Sequence, residues 1–570
     1  MRWVWLTFCA ILGLVMLICG LLMPVYLRAV DWQVIAKAGQ KGRSLVQAGV
    51  SLMDEGNVAA GQLVASVARE AKLPGSEPLA LAGYAFTQAH PTERIWGGVD
   101  LQLERVFGVQ TNLPASGWQP FTDFVVGQEN RQRALAYLEA SPPPAVQALL
   151  DCRALTNTVL FSPSRSASGQ ALDTAIAIGG LLLAEGRLSP ALRDALVALA
   201  NNAAHGGTSE PLEEALMDFL SLGQRLNWGQ LIAFVGPVED PETLRLLTRQ
   251  AREMDDQLPA LFCVLRLSGR PAAVARYLAL LGPSGLEDLR ACLQYGAGGV
   301  NRLLDSQQRL YRCAWRRRVV AYDPFGAFYY FALDYCDLVP GLALACKWLF
   351  YWGGGWCLAV ALGAARVTPA LREAPYLRRF ATARNVLFAL GFLLVVLLLS
   401  EPFLAPGSRQ VDLPFRVHLP TLGGSLRAGS ASLPPVSMNQ NLLIMVLFFV
   451  LQGLLYTACV LKLGEISRQK APPRMKLKLL ENEEHLFDAG LYLGFLGTIV
   501  SFILYSVNVV HQFSLMVAYS STSFGIIFVS IFKIFHLRPA RRKLLVEVET
   551  SPAEAPGAAA VGTTTSALSS

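Results

Sequence analysis

Residues 486–536 read LFDAGLYLGFLGTIVSFILYSVNVVHQFSLMVAYSSTSFGIIFVSIFKIFH. Two apolar spans, Leu486–Val510 and Leu515–His536, are joined by almost no loop. The first carries Gly490, Gly494, Gly497, Thr498 and Ser501. The second carries Ala518, Ser520, Ser521, Thr522, Ser523 and Gly525. Lipid-facing helices do not need small and hydroxylated residues, whereas helices that pack closely or line a polar path do. The stretch predicts an all-α membrane fold containing a tight helix pair. Its candidate pore-lining or packing residues are Gly494, Gly497, Thr498, Ser521, Thr522 and Gly525.

The whole chain supports that reading. It has 570 residues, 53% hydrophobic and 16% charged, with a mean hydropathy of +0.39. Soluble domains carry roughly 25% charged residues. A polytopic helical membrane protein with a large soluble part is predicted. Much of the net charge of +7 sits beside apolar spans, where basic residues set orientation. The basic segments have no interleaved aromatics, so nucleic acid is not an expected partner. The ten cysteines form no CxxC and no His-spaced pair, so no metal site is expected. Cys152, Cys263, Cys292, Cys313 and Cys336 are widely spaced; an oxidising compartment would permit a disulfide among them, with a pairing that sequence does not reveal.

A bilayer-crossing helix needs about 20 mostly apolar residues. Val4–Tyr26, Gly341–Ala365, Val386–Ala405 and Leu442–Leu461 meet this, and with the pair above they predict about six spans. Val4–Tyr26 exceeds the roughly 7–15 residues of a signal-peptide core and reads as a retained signal anchor, cleavage being the alternative. Gly341–Ala365 is interrupted by Gly353, Gly354 and Gly355. Short basic loops set the topology. Arg366 to Arg384, Arg468 to Lys478 and Arg538 to Lys543 should face the cytoplasm. The expected division is a signal anchor (1–29), an extracytoplasmic α-helical domain (30–340), spans two and three (341–405), an external loop or hairpin (406–440), span four (441–462), a basic cytoplasmic loop (463–485), a channel-like pair (486–537) and a disordered cytoplasmic tail (538–570). The chain is then expected in a cell inner membrane, with both termini cytoplasmic and residues 27–340 extracytoplasmic. Arg316, Arg317 and Arg318 fall on the unexpected side, although long domains translocate largely regardless of charge.

Residues 30–320 show apolar residues at three-to-four spacing, as in Ala272, Val274, Ala275, Tyr277, Leu278 and Leu281. Helical segments are expected at Ala171–Glu185, Pro190–Ala203, Pro211–Leu222, Glu242–Met254, Ala272–Leu281 and Leu286–Tyr295. Proline at Pro190, Pro211, Pro241 and Pro271 marks several starts, where its missing N–H is harmless. Short helices in series suggest a solenoid, but no fixed period appears, and an irregular bundle fits equally. The aromatic run Tyr322–Asp337 reads as an interfacial helix or a core helix of the soluble domain. Val411–Leu419 alternates as a strand would, with a turn at Gly423-Gly424.

No enzyme constellation is present: no GxSxG, Walker A loop, HExxH or dinucleotide turn. No cofactor is expected. Lys347 and Lys533 should snorkel or pair. Glu401 and Asp488 sit near interfaces, where a solvated role competes with a functional one.

Leu493-Gly494-Phe495-Leu496-Gly497-Thr498-Ile499 resembles the Gly-Leu-Leu-Gly-Thr-Val signature of the MotA/TolQ/ExbB proton-channel family. Tyr519 to Ile526 resembles the Ala/Leu-x-Thr-Thr-x-x-Gly-Leu stretch of that family's final span. The resemblance covers about 55 residues. It implies a homo-oligomer of five copies around a central path, Thr498 and Thr522 facing that path, and a single-span partner supplying a membrane Asp. Three features depart from the family: the short turn between the two spans, the short basic loop before them, and the large domain outside. Two functions follow as expectations. One is an inner-membrane component of an ion-driven, proton channel-like complex. The other is a non-conducting membrane scaffold whose helical domain binds envelope proteins.

Overall fold

The computed structural model describes residues 2–40, 42–89, 95–108, 119–164, 166, 169–313, 316, 320, 325–366, 375–403, 436–506 and 515–550. It is overwhelmingly helical and divides into two compact units. One combines Met1–Arg28 with Trp315–Ser570; the other, Ala29–Ala314, is inserted between them in sequence.

The chain begins with α1 (Arg2–Leu22). The inserted unit opens with β1 (Ala29–Asp31), α2 (Trp32–Gly39), α3 (Leu45–Asp54), α4 (Val58–Glu70) and α5 (Ser76–Ala89). It continues through α6 (Leu101–Phe107), α7 (Phe121–Val126), α8 (Gln128–Glu139), α9 (Pro144–Asp151), α10 (Gln170–Ala184), α11 (Pro190–Ala204) and α12 (Glu210–Gly223). It ends with α13 (Trp228–Val235), α14 (Pro241–Glu253), α15 (Leu258–Ser268), α16 (Pro271–Leu281), α17 (Pro283–Cys292), α18 (Gly296–Ser306) and β2 (Arg309–Tyr311).

Local chemistry explains the starts. Pro190, Pro241 and Pro271 each occupy the first helical position, where proline loses no hydrogen bond. Ser44 with Gln47 and Asn227 with Gln230 form reciprocal capping boxes. Asp31 and Asp100 cap α2 and α6.

Alternate helices α8, α10, α12, α14 and α16 pack in succession, and α9 lies on α11. Long-range packing closes this array: α4 rests on α13 and α15, and α2 on α18. One continuous core runs from Ile35 to Leu310 through Trp96, Phe219, Phe262 and Tyr277. In a solenoid each repeat touches only its neighbours; here the two ends meet, so the unit is a closed irregular bundle. β1 and β2 pair in parallel, with Ala29 opposite Arg309. Its boundary falls at Ala314 rather than at residue 340.

The other unit contains α1 and a second series. This comprises α19 (Phe325–Leu338), α20 (Pro340–Arg366), α21 (Pro375–Ser400), α22 (Val436–Arg468), α23 (Pro473–Asn482), α24 (Glu484–Phe487), α25 (Ala489–Ser506), α26 (Leu515–Phe532) and α27 (Arg538–Thr550). Among the described residues, four helical stretches are long and apolar enough to cross a membrane: Val4–Leu22, Thr382–Ser400, Ile444–Arg468 and Tyr519–Thr550. α20 and α25 form where spans two and five were expected and are not among these four.

The aromatic run is helical over α19, and α19 packs on α20 and α1. The glycines Gly353 to Gly355 do not interrupt α20. They sit mid-helix where neighbours press on it: a Cβ at Gly354 would lie 3.0 Å from Gly13 O, and one at Gly355 3.1 Å from Phe392. Two further boundaries move. α22 spans Val436–Arg468 instead of 441–462, and 538–550 is helix α27 rather than disordered tail. Leu544 of α27 is buried with Leu480 of α23 and Phe532 of α26, which gives a charged helix an apolar seat. The hairpin expected over 411–433 lies outside the described residues.

Candidate functional site

The helix pair α25–α26 brings all six sequence-marked residues together. A Cβ added at Gly494 would lie 2.8 Å from Ser521 O, one at Gly497 2.5 Å from Ser521 Oγ, and one at Gly525 2.7 Å from Gly490 O. At Gly494 and Gly525 the obstacle is backbone, so a larger residue would have to move a helix, whereas at Gly497 it is the Ser521 side chain; this is the close backbone approach that small residues permit in membranes. The hydroxyls then converge on one acceptor. Ser521 Oγ donates to Gly494 O at 3.1 Å, and Thr498 and Thr522 both lie 3.2 Å from the same oxygen. Thr498 Oγ1 and Thr522 Oγ1 are 2.6 Å apart. Thr498 and Ser521 are buried, while Thr522 is half-buried. Gln452 of α22 completes the site by donating to Gly490 O at 3.0 Å. Sequence reading missed Gln452, since a single amide in an apolar span gives no signal of what it faces.

The same unit holds a buried ion pair. Lys347 Nζ lies 3.1 Å from Glu401 Oε1, and each side chain is 1% exposed. Lys347 also donates to Val25 O at 2.6 Å and stands 4.1 Å from the Tyr26 ring centre. Glu401 Oε2 accepts from Leu27 N at 2.8 Å. Arg316 is buried against the same segment, donating to the Tyr26 hydroxyl and to Leu21 O. Arg316 therefore belongs to this polar centre and is not a stray basic residue of the soluble domain. Lys347 pairs, as one of its two expected fates; Glu401 is buried and not solvated. Nearer the other end of the spans, Lys533 pairs with Asp488 at 2.7 Å.

In the inserted unit, a cavity of about 570 Å³ is lined by Asn57, Trp96, Asp100, Arg187, Trp228 and Arg266. Trp228 Nε1 donates to Asp100 Oδ2 at 2.9 Å. Arg187 lies 3.7 Å from Asp100 and 3.2 Å from Glu185. Burial, aided by the Asp100 charge, pushes the Glu185 carboxyl up to about 7 against the opposing pull of Arg187. These groups come from five separated segments, so no sequence motif announces them.

Fold and sites together define an all-helical protein with helices of membrane-crossing length and an inserted helical domain with its own core. No protein-family model matches the chain, and no curated protein or solved structure matches it.

Proposed function

We propose that this chain is a multi-pass inner-membrane scaffold of about six spans, with α20 and α25 crossing beside the four longer helices. Residues 29–314 would face away from the cytoplasm and recruit envelope proteins through surfaces such as the Arg187–Arg266 cavity. The α25–α26 pair would be its assembly hairpin. The observation that carries the scaffold reading is the convergence of Thr498, Ser521 and Thr522 on Gly494 O within one chain. Hydroxyls so engaged serve packing, each such contact being worth around 0.6 kcal/mol on average. The conducting alternative, a channel component similar to MotA/TolQ/ExbB, is favoured by one feature: Thr522 is half-buried, so the hairpin does not close over that residue completely.

Replacing Thr498 and Thr522 together with Val separates the two. In a scaffold, native mass and partner recovery stay unchanged and proteoliposomes show no proton flux with either chain. A pentameric chain whose flux is abolished by the double substitution would establish the conducting role and overturn the scaffold.

A further inference from the structure

We infer that α26 and α27 carry a built site for an anionic phospholipid. The exposed face of α26 runs through Ile526, Ile527 and Ile531 and continues through Ile534 and Phe535. The π-helical turn Lys533–Leu537 links it to α27. On the same face, at four-residue spacing, the chemistry changes from apolar to basic at Arg538 and Arg542. An open cavity of about 860 Å³ sits at that change, lined by Ile534, Pro539, Val546, Arg538, Arg542, Lys543 and Glu547.

Three nearby bases are already engaged. Lys533 is engaged by Asp488, Arg541 by Glu481 and Lys462 by Glu483. Arg538, Arg542 and Lys543 have no ion-pair partner among the described residues, and all three are exposed. Glu547 is the one acid on the rim among the described residues, leaving a surplus of two positive charges there. Arg residues one turn apart stand about 5–6 Å from each other, a spacing that lets both guanidiniums grip one phosphodiester. An apolar stripe of two to three turns leading into that grip suits acyl chains. Free phosphate would use the bases and leave the stripe bare. The occupant chosen by the whole surface is therefore an amphiphile with an anionic head. Basic clusters just beyond a membrane helix recognise such lipids.

This inference rests on α26 lying in a membrane and on neither the scaffold nor the conducting role. The test uses the full chain in a neutral detergent, titrated with phosphatidylglycerol, phosphatidylcholine or inorganic phosphate. Melting midpoint and bound lipid by native mass are the readouts. Phosphatidylglycerol should raise the midpoint and be retained, while the other two do neither. The triple variant R538Q/R542Q/K543Q should bind phosphatidylglycerol on the order of a hundredfold more weakly, about fivefold for each charge. A matched variant, R474Q/K476Q/K478Q, should bind as the unaltered chain does. Equal response to phosphatidylcholine, an equal response to phosphate, or unchanged binding by the triple variant would each overturn the proposal. If the triple variant does not fold, the headgroup comparison on the unaltered chain decides.

Discussion

Lys347 and Glu401 stand 54 residues apart in sequence and make one contact that neither could make alone. A buried pair does not by itself prove a gain in stability, because desolvation opposes the attraction; removing one partner is what costs, roughly 3–5 kcal/mol. Glu401→Gln and Lys347→Met should each lower the melting midpoint of the detergent-purified chain by many degrees. The double variant K347M/E401L should recover most of that loss. Single variants that melt like the unaltered chain would show the pair to be solvated. Sequence flagged both residues as charges in apolar runs, but their pairing depends on how α20 and α21 pack, which spacing does not encode. Two acids of the inserted unit make a pH prediction. Burial lifts Asp218, despite nearby Arg252 and Arg245, to about 7 from 3.8, and lifts Glu185 to about 7 from 4.5. Between those values the folded chain holds protons that the unfolded chain has released. Stability therefore falls as pH rises from about 4 to 7, by at most about 1.4 kcal/mol per pH unit for each group. Melting at a series of pH values should show this decline, and Asp218→Asn should make it shallower, leaving the part due to Glu185.

Helices are where the sequence was most readable. Proline starts and apolar spacing located α11, α12, α14 and α16 to within a residue or two, because capping and periodicity are local. α27 was misread for the opposite reason. Its Arg-rich first turns look like a solvated flank, and only the seat of Leu544 beside Leu480 and Phe532 makes it a packed helix. The small-residue signal of α25 and α26 was legible as close packing, while its division between packing and conduction was not, since both need the same side chains. The packing component has its own test. Gly494→Val would drive side-chain carbon into Ser521 O and the Thr522 backbone. Neither can turn aside, so the hairpin must part, at a cost of roughly 1–3 kcal/mol. Gly453→Ala meets only Leu387 at ordinary distance, 3.5 Å, and should be near neutral. Melting midpoints of the two variants, measured side by side, check the contrast. A Gly494→Val chain as stable as the Gly453→Ala chain would mean that α25 and α26 are not held at this separation.

For the whole molecule, the decisive feature is one that the sequence could not display. β1 and β2 are three residues each and lie at opposite ends of a 286-residue unit, too short for an alternating pattern to register. Their pairing joins the ends of the domain, and other groups hold it. Asp288 Oδ2 accepts from Arg309 Nε at 2.5 Å and from Leu310 N at 3.2 Å, and the Tyr277 hydroxyl donates to Gln308 O at 2.9 Å. Asp31, fully buried, ends β1 and caps α2. A domain with adjacent ends and its own core is the kind that tolerates insertion into another chain, and it should fold without its host. Residues 29–314 produced alone should give a helical circular dichroism spectrum and a single cooperative melt. Asp288→Asn should lower that midpoint, because the carboxylate that serves Arg309 and Leu310 loses its charge while its surroundings stay buried. A broad, non-cooperative transition of the isolated segment would mean that the domain depends on the membrane unit. The clamp would then be a consequence of the fold rather than one of its supports.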